Sequence, residues 1–342
     1  MNFIKALGAY LWSECKRSKY FFILVFVLFI LFFTGWAYVF EVDDRKVVAP
    51  KDGTWVETPD LELYARHRAA IGERRGTIIF LHGMGAWSKT WDETSIATAS
   101  RGYASLALDM PPFGFSERPN NHAFWRVDNA ARLGVIVRQL PRPRYIVAHS
   151  YGSRAALEYI IKHDDEVDGV IFVDPAFDGI YTDEVGKPSH LVSTILSQEP
   201  IQYLMSSLTV TNPFLTKYFL KQFMHKKDMA TDDVVALYRQ PSTLQRSTQD
   251  FGAWLAGFLL GHDSGDSQSK EKVSAIQTPL VLIWGAEDTT TPLSEAHAFT
   301  QLLPNTTLMI MPGVGHMPHL ESPAVFFEFL DNALASFALN RN

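Results

Sequence analysis

Arg144-Tyr145-Ile146-Val147-Ala148-His149-Ser150-Tyr151-Gly152-Ser153-Arg154 is the stretch that decides how this chain folds. Tyr145, Ile146 and Val147 form a short apolar run of the kind that makes a buried strand. Ala155, Ala156, Leu157, Tyr159 and Ile160 follow at the spacing of a helix face. Between the two the backbone must reverse sharply, so small residues flank Ser150 and its hydroxyl projects from the turn. Small-X-Ser-X-small is common by chance. Set between a strand and a helix it reads as a nucleophile elbow, with Ala148 where glycine is more usual.

The same alternation continues on both sides. Thr77–Leu81, Ala104–Leu108, Gly169–Val173, Leu280–Trp284 and Thr307–Met311 are apolar runs that read as strands, and a helical stretch from Val127 to Leu140 leads into the Ser150 strand. Trp55-Val56-Glu57 and Leu61–Ala65 alternate as strands do. The expected class is α/β: a mostly parallel central sheet flanked by helices. From about Gly179 to Lys272 the strands stop, and Leu191–Leu208, Phe214–His225 and Asp232–Tyr238 are helical in pattern. That is too long for a connection between two strands, so an inserted helical cap is expected.

Tyr20–Phe40 carries no charged side chain, and as a helix it would be roughly 31 Å long, enough to cross a bilayer's hydrocarbon core. Lys16, Arg17 and Lys19 precede it, while Glu41, Asp43 and Asp44 follow together with Arg45 and Lys46. This bias predicts a cytoplasmic N-terminus with the rest of the chain on the other side. A signal peptide would have a shorter apolar region and a small-X-small cleavage site, which Trp36-Ala37-Tyr38 does not supply well. The expected organisation is a cytoplasmic segment over 1–19, a transmembrane helix over 20–40, a linker over 41–53, a core over 54–178 and 273–342, and the cap over 179–272. The 342 residues carry a net charge of −6, which argues against nucleic acid as a partner. Cys15 is the single cysteine, so no intrachain disulfide is available.

His82-Gly83-Met84-Gly85 follows the Thr77–Leu81 strand. Glycines there let the backbone approach a ligand, and the N–H groups of Met84 and Tyr151 together would make an oxyanion hole. Gly285-Ala286-Glu287-Asp288 follows the Leu280 strand, and Pro312-Gly313-Val314-Gly315-His316 follows the last one. A serine hydroxyl needs a base to accept its proton, and neutral imidazole serves near neutral pH. A carboxylate then fixes the imidazole's tautomer and stabilises the imidazolium. Ser150, Asp288 and His316 are the expected catalytic residues, in the order nucleophile, acid, histidine.

These pieces resemble the α/β-hydrolase fold superfamily from about residue 55 to the C-terminus. The layout, with its N-terminal span, is similar to the monoacylglycerol-lipase-like serine hydrolases. The resemblance implies a serine hydrolase acting through an acyl-enzyme. Ala148 departs from the pattern by one methyl at a tight strand–helix contact, and Pro112 replaces a glycine in the loop after Asp109. Asp174, at its own strand end, is a competing acid, and His319 a competing base. Glu321 and His319 are expected to anchor the His316 loop, Asp109 to organise its own loop, and His149 to point away from the site. Asp263-Ser264-Gly265-Asp266 reads as a solvated turn. No metal-ligand spacing or phosphate loop is present, so no cofactor and no metal are expected. The expected activity is hydrolysis of a small-molecule or lipid-like ester with an apolar acyl group, by an enzyme in contact with membrane lipid through its N-terminal helix.

Overall fold

The computed structural model describes residues 2–177 and 189–339, with residues 2–19 described as helical backbone alone. Eight strands form one sheet: β1 Thr54–Glu57, β2 Glu62–Arg68, β3 Gly76–Leu81, β4 Tyr103–Leu108, β5 Arg144–His149, β6 Gly169–Val173, β7 Leu280–Gly285 and β8 Thr307–Met311. Their order across the sheet is β1-β2-β4-β3-β5-β6-β7-β8. β1 and β2, and β2 and β4, pair antiparallel. Every other pair is parallel. All residues of β3, β6 and β7 are buried, as their unbroken apolar character requires in a sheet covered on both faces.

Successive side chains leave a strand on opposite faces. Ile79 and Leu81 of β3 therefore join Ile146, Phe172 and Leu282 in one core, closed by Leu133, Leu157 and Phe299. Those three come from helices α3 (Arg126–Gln139), α4 (Gly152–Ile160) and α10 (Leu293–Leu302). Ile78 and Phe80 face the other way, onto Trp91, Phe326 and Leu330. Trp91 precedes α2 (Asp92–Ala99), and the two others belong to α11 (Pro323–Leu339).

Between β6 and β7 the described chain is helical: α5 His190–Leu196, α6 Glu199–Leu208, α7 Thr216–Phe223, α8 Asp232–Arg239 and α9 Ser247–Leu259. The single pattern over Leu191–Leu208 is two helices, because Pro200 sits at the start of α6, where its missing N–H is harmless. Helix α9 stands where glycines obscure the periodicity. Gly252 has a packing reason: a Cβ there would lie 2.3 Å from the Gln202 carbonyl oxygen, so its bare backbone lets α9 lie directly on α6. Asp263 corrects the reading of its turn as solvated. It is buried, 3.3 Å from Arg126 and 2.7 Å from Arg154, which tie the end of the helical segment to α3 and α4. The sequence separates these partners by more than a hundred residues, which is why the pairing does not show there.

Helix α1 runs without a break from Asn2 to Phe40 and contains the apolar stretch Tyr20–Phe40, long enough to cross a membrane. The segment after it is pinned rather than loose. Glu41 accepts a hydrogen bond from the Thr248 N–H (2.8 Å), Gln245 N–H donates to the Asp43 carbonyl (3.0 Å), and Arg45 donates to the carbonyls of Ser116 (2.9 Å) and Gln245 (3.0 Å).

The tightest packing constraint at the elbow is Gly152. A Cβ there would stand 2.5 Å from the carbonyl oxygen of His82 and 3.1 Å from Cβ of Leu81, at the end of β3. Gly152→Ala should therefore push α4 off β3 and lose about 1–3 kcal/mol of stability in denaturant unfolding.

Candidate functional site

β5 ends at His149, and the chain turns into α4 through Ser150, whose φ is +48°. A non-glycine residue in this left-handed region is costly and persists only where its surroundings impose it. They do so here by hydrogen bonds: Ser150 N–H donates to the Val173 carbonyl (3.0 Å), and its own carbonyl accepts from Ser153 (3.0 Å) and Ala176 (3.2 Å). The outcome is a hydroxyl held at the carboxyl edge of the sheet.

His316 lies after β8 at the same edge, and its Nε2 is 2.8 Å from Ser150 Oγ. Its Nδ1 is 2.7 Å from Oδ2 of Asp288, in the loop after β7. With its proton on Nδ1 and donated to Asp288, the imidazole offers a lone pair to the serine hydroxyl. Asp288 is fixed in turn by the N–H groups of Thr290 (2.7 Å) and Thr291 (3.1 Å) and by the Thr291 hydroxyl (2.7 Å). Burial alone would raise its pKa, but the bonds from His316, Thr291 and Thr290 overcome that and hold it below the usual carboxylate range. Thr291 does not stand out in the sequence, although a threonine run directly after a loop aspartate is the pattern of a side chain capped by its own turn.

The His316 loop is braced from three directions. Glu321 accepts from the N–H groups of Gly315 (3.1 Å) and Met317 (3.1 Å), as expected of a loop anchor. His316 N–H donates to the Phe223 carbonyl at the end of α7 (3.0 Å), so the helical segment positions the imidazole directly. The third brace is His149. It points away from Ser150, and its Nε2 is 2.7 Å from the His316 carbonyl. His319 does not anchor the loop in the same way. Its ring stacks on Trp91 at 4.5 Å and meets His149 edge-on at 4.7 Å, and its Nδ1 has no hydrogen-bond partner among the described residues.

Asp174 does not reach the imidazole's proton. Its Oδ1 accepts the Gly285 N–H (2.8 Å), and its φ of +41° places it at the sheet edge beside Asp288. Burial first, and then the charge of Asp288, push its pKa well above the carboxylate range. The ligand atoms of Asp174, Asp288 and His316 lie within 4.8 Å of one another, which is a metal-ligand spacing. The bonds already described nevertheless occupy the Asp288 oxygens and His316 Nδ1. Asp109 organises its own loop, accepting from Ser88 N–H (2.7 Å) and Phe115 N–H (2.6 Å).

The His82–Gly85 loop abuts the elbow. A Cβ on Gly83 would stand 3.1 Å from Cβ of Ser150, so the backbone that carries Met84 passes against the serine. Neither the Met84 nor the Tyr151 N–H has a hydrogen-bond acceptor among the described residues. Tyr151 is buried with Phe113, Phe124, Phe251 and Trp254, the last two from α9. The cavity left beside it holds only about 10 Å³ and is bordered by Phe113 and Tyr151 together with Arg126, Asn129 and Arg154. A cleft of about 1030 Å³ lies elsewhere, between the end of α1, the helical segment and Leu320, and Ser150 is not in its walls.

A hydroxyl, an imidazole and a carboxylate converge at the carboxyl edge of a mostly parallel sheet with a helical insertion after β6. This is the architecture of α/β hydrolases. The chain belongs to the α/β hydrolase fold family, whose profile matches residues 76–323, and it is a hydrolase. It is 23% identical over 273 residues to the uncharacterized hydrolase YugF of Bacillus subtilis, covering 79% of this chain and 93% of that one. Among solved structures it is similar to a putative lipase from Acinetobacter baumannii (18% identity, TM-score 0.65, 92% of this chain and 97% of the other). It is also similar to a membrane phospholipase A described as a bacterial virulence factor (17% identity, TM-score 0.66, 94% and 99%).

Burial holds the His319 pKa at about 3 and that of His82 at about 4. Both values lie below the roughly 6.5 of an unfolded histidine. As pH falls below 6.5 the unfolded chain gains protons that these folded rings refuse, so their contribution to stability is complete above 6.5 and is lost towards the folded pKa. His319→Gln should remove one such proton, making the slope of unfolding free energy between pH 4 and 6 shallower by about 1.4 kcal/mol per pH unit in urea titrations.

Proposed function

We propose that this hydrolase cleaves carboxylic esters with apolar acyl groups through an acyl-enzyme, with Ser150 as nucleophile, His316 as general base and then acid, and Asp288 as the residue that orients His316. The observation that carries the reading is the continuous chain of bonds from Asp288 through His316 to Ser150, 2.7 Å and 2.8 Å long. As Ser150 Oγ attacks the ester carbonyl, its proton passes to Nε2, and the imidazolium is stabilised by Asp288. The N–H groups of Met84 and Tyr151 are assigned to the tetrahedral oxyanion, which the strained elbow and the adjacent Gly83 loop support. Collapse returns the proton to the leaving alcohol, and water then repeats the sequence on the acyl-enzyme.

The apolar acyl preference rests on the aromatic lining beside Tyr151. Phe113, Phe124 and Phe251 present only ring carbon beside Tyr151, and α9 must give way to admit an acyl chain. Serine at the elbow supports ester cleavage rather than the aspartate-nucleophile reactions known on this fold. The N-terminal span is assigned as a retained single-pass anchor, with the N-terminus cytoplasmic and the catalytic domain on the other side, from its length and the charges that flank it. Residues 54–178 with 273–342 are read as the core and 179–272 as its cap. No cofactor or metal enters the proposed reaction.

Exposure to a fluorophosphonate tests the nucleophile. The wild type should be labelled and Ser150→Ala should not; labelling that survives in the variant would remove Ser150 from the role. Asp288→Asn, with fold intact by circular dichroism, should lose about 10⁴-fold in kcat on a p-nitrophenyl ester, and a loss below tenfold would displace Asp288 as the orienting acid.

A further inference from the structure

The described surface of the helical segment leaves large apolar side chains open beside the proposed anchor. Phe214 is 63% and Tyr218 58% exposed. Phe214 is not remote from the span: its ring lies 5.9 Å from that of Phe33 and 6.0 Å from that of Trp36. On α1 one stripe, Phe33 and Ala37, is buried against the protein, whereas Phe29, Leu31, Phe32, Tyr38 and Phe40 remain exposed. The last two turns of the apolar stretch therefore pack on the helical segment and face outward on their other sides.

This contact has a depth. Helical rise is 1.5 Å per residue, so Trp36 and Phe33 lie about 6 Å and about 10 Å back from Phe40 along the axis. Tyr20–Phe40 only just matches a hydrocarbon core of roughly 30 Å. A side chain touching both Phe33 and Trp36 is therefore carried below the membrane surface along with them. We infer that the catalytic domain is seated in the bilayer through Phe214 and the start of α7, and that its substrates are esters resident in the membrane. The inference rests on the reading of α1 as an anchor.

Three features fit a membrane seat at this place. Exposed apolar area rimmed by charge marks such surfaces. Lys221 lies three residues along α7 from Tyr218, where anionic headgroups would meet it, while Lys217 is paired with Asp232 at 2.7 Å. The cleft of about 1030 Å³ opens at the same place, with Trp36, Ala37 and Phe40 on one wall and Leu320 on the other. The far end of α7 is Phe223, whose carbonyl holds His316 N–H. An eight-residue helix, about 12 Å long, thus separates the seat from the backbone that carries the imidazole. An ester that stays in the outer part of the bilayer is within one acyl-chain length of the site.

The test uses the full chain in lipid vesicles. In a Cys15→Ser background, single cysteines at Phe214, Leu28 and Ile71 carry a fluorophore, and the acyl chains carry bromine as a quencher. Ile71 is exposed at the amino end of β3, opposite the site. Quenching at 28 and 214 but not at 71 is expected. Quenching at 28 without quenching at 214 would overturn the seat and leave the anchor standing. No quenching at 28 would overturn the anchor itself, and equal quenching at 71 would overturn the orientation. Phe214→Glu should lower turnover of a vesicle-embedded long-chain ester by roughly tenfold, as a charge at membrane depth is costly. Turnover of a water-soluble short-chain ester should stay within about twofold, and an equal loss on both substrates would contradict a membrane-specific role.

Discussion

The left-handed backbone of Ser150 is the constraint on which the rest of the site depends. A φ of +48° at a serine costs free energy that a free loop would release. Here it cannot, because β6 takes the Ser150 N–H and α4 begins two residues later with Gly152 pressed against the end of β3. The sheet thus fixes the serine hydroxyl at its carboxyl edge, where His316 reaches it. Parallel pairing places the loops after β5, β7 and β8 at one edge, so short side chains suffice to join serine, histidine and aspartate.

Around that edge the protein excludes charge except where it is bonded. Burial keeps His82, His149 and His319 neutral, and Asp174 is held above the carboxylate range beside the ionised Asp288. The imidazole is bonded to Asp288, whose charge adds to burial in pushing Asp174 up. Two like charges this close would oppose each other strongly in so dry a place. His149 braces the His316 carbonyl from beneath, and α7 holds the His316 N–H from the side. The helical segment therefore acts on the machinery itself as well as bordering it.

Much of this was legible in the sequence because local physics sets it. Unbroken apolar runs mark strands covered on both faces, as in β3, β6 and β7, whereas β1 and β2 are legible from alternation instead. Ser150, Asp288 and His316 stood out because each follows such a run, and the structure places them within hydrogen-bond distance. What could not be read depends on contacts distant in the chain. Asp263 looks solvated until Arg126 and Arg154 arrive from other helices. Thr291 and the His149 brace are defined by partners, not by patterns. Helix α9 was obscured by its glycines, of which Gly252 lets it touch α6. Residues 41–53 read as a tether, since nothing local announces that Thr248 and Gln245 will bind them.

The central claim is that Ser150 becomes acylated during turnover. Mixing the enzyme with a p-nitrophenyl ester, quenching in acid within milliseconds and sequencing the peptides by mass spectrometry reads this directly. The account predicts the acyl mass on the peptide containing Ser150, appearing with a burst of p-nitrophenol before steady turnover. Undiminished turnover with that peptide unmodified, or with the acyl group on another side chain, would contradict it.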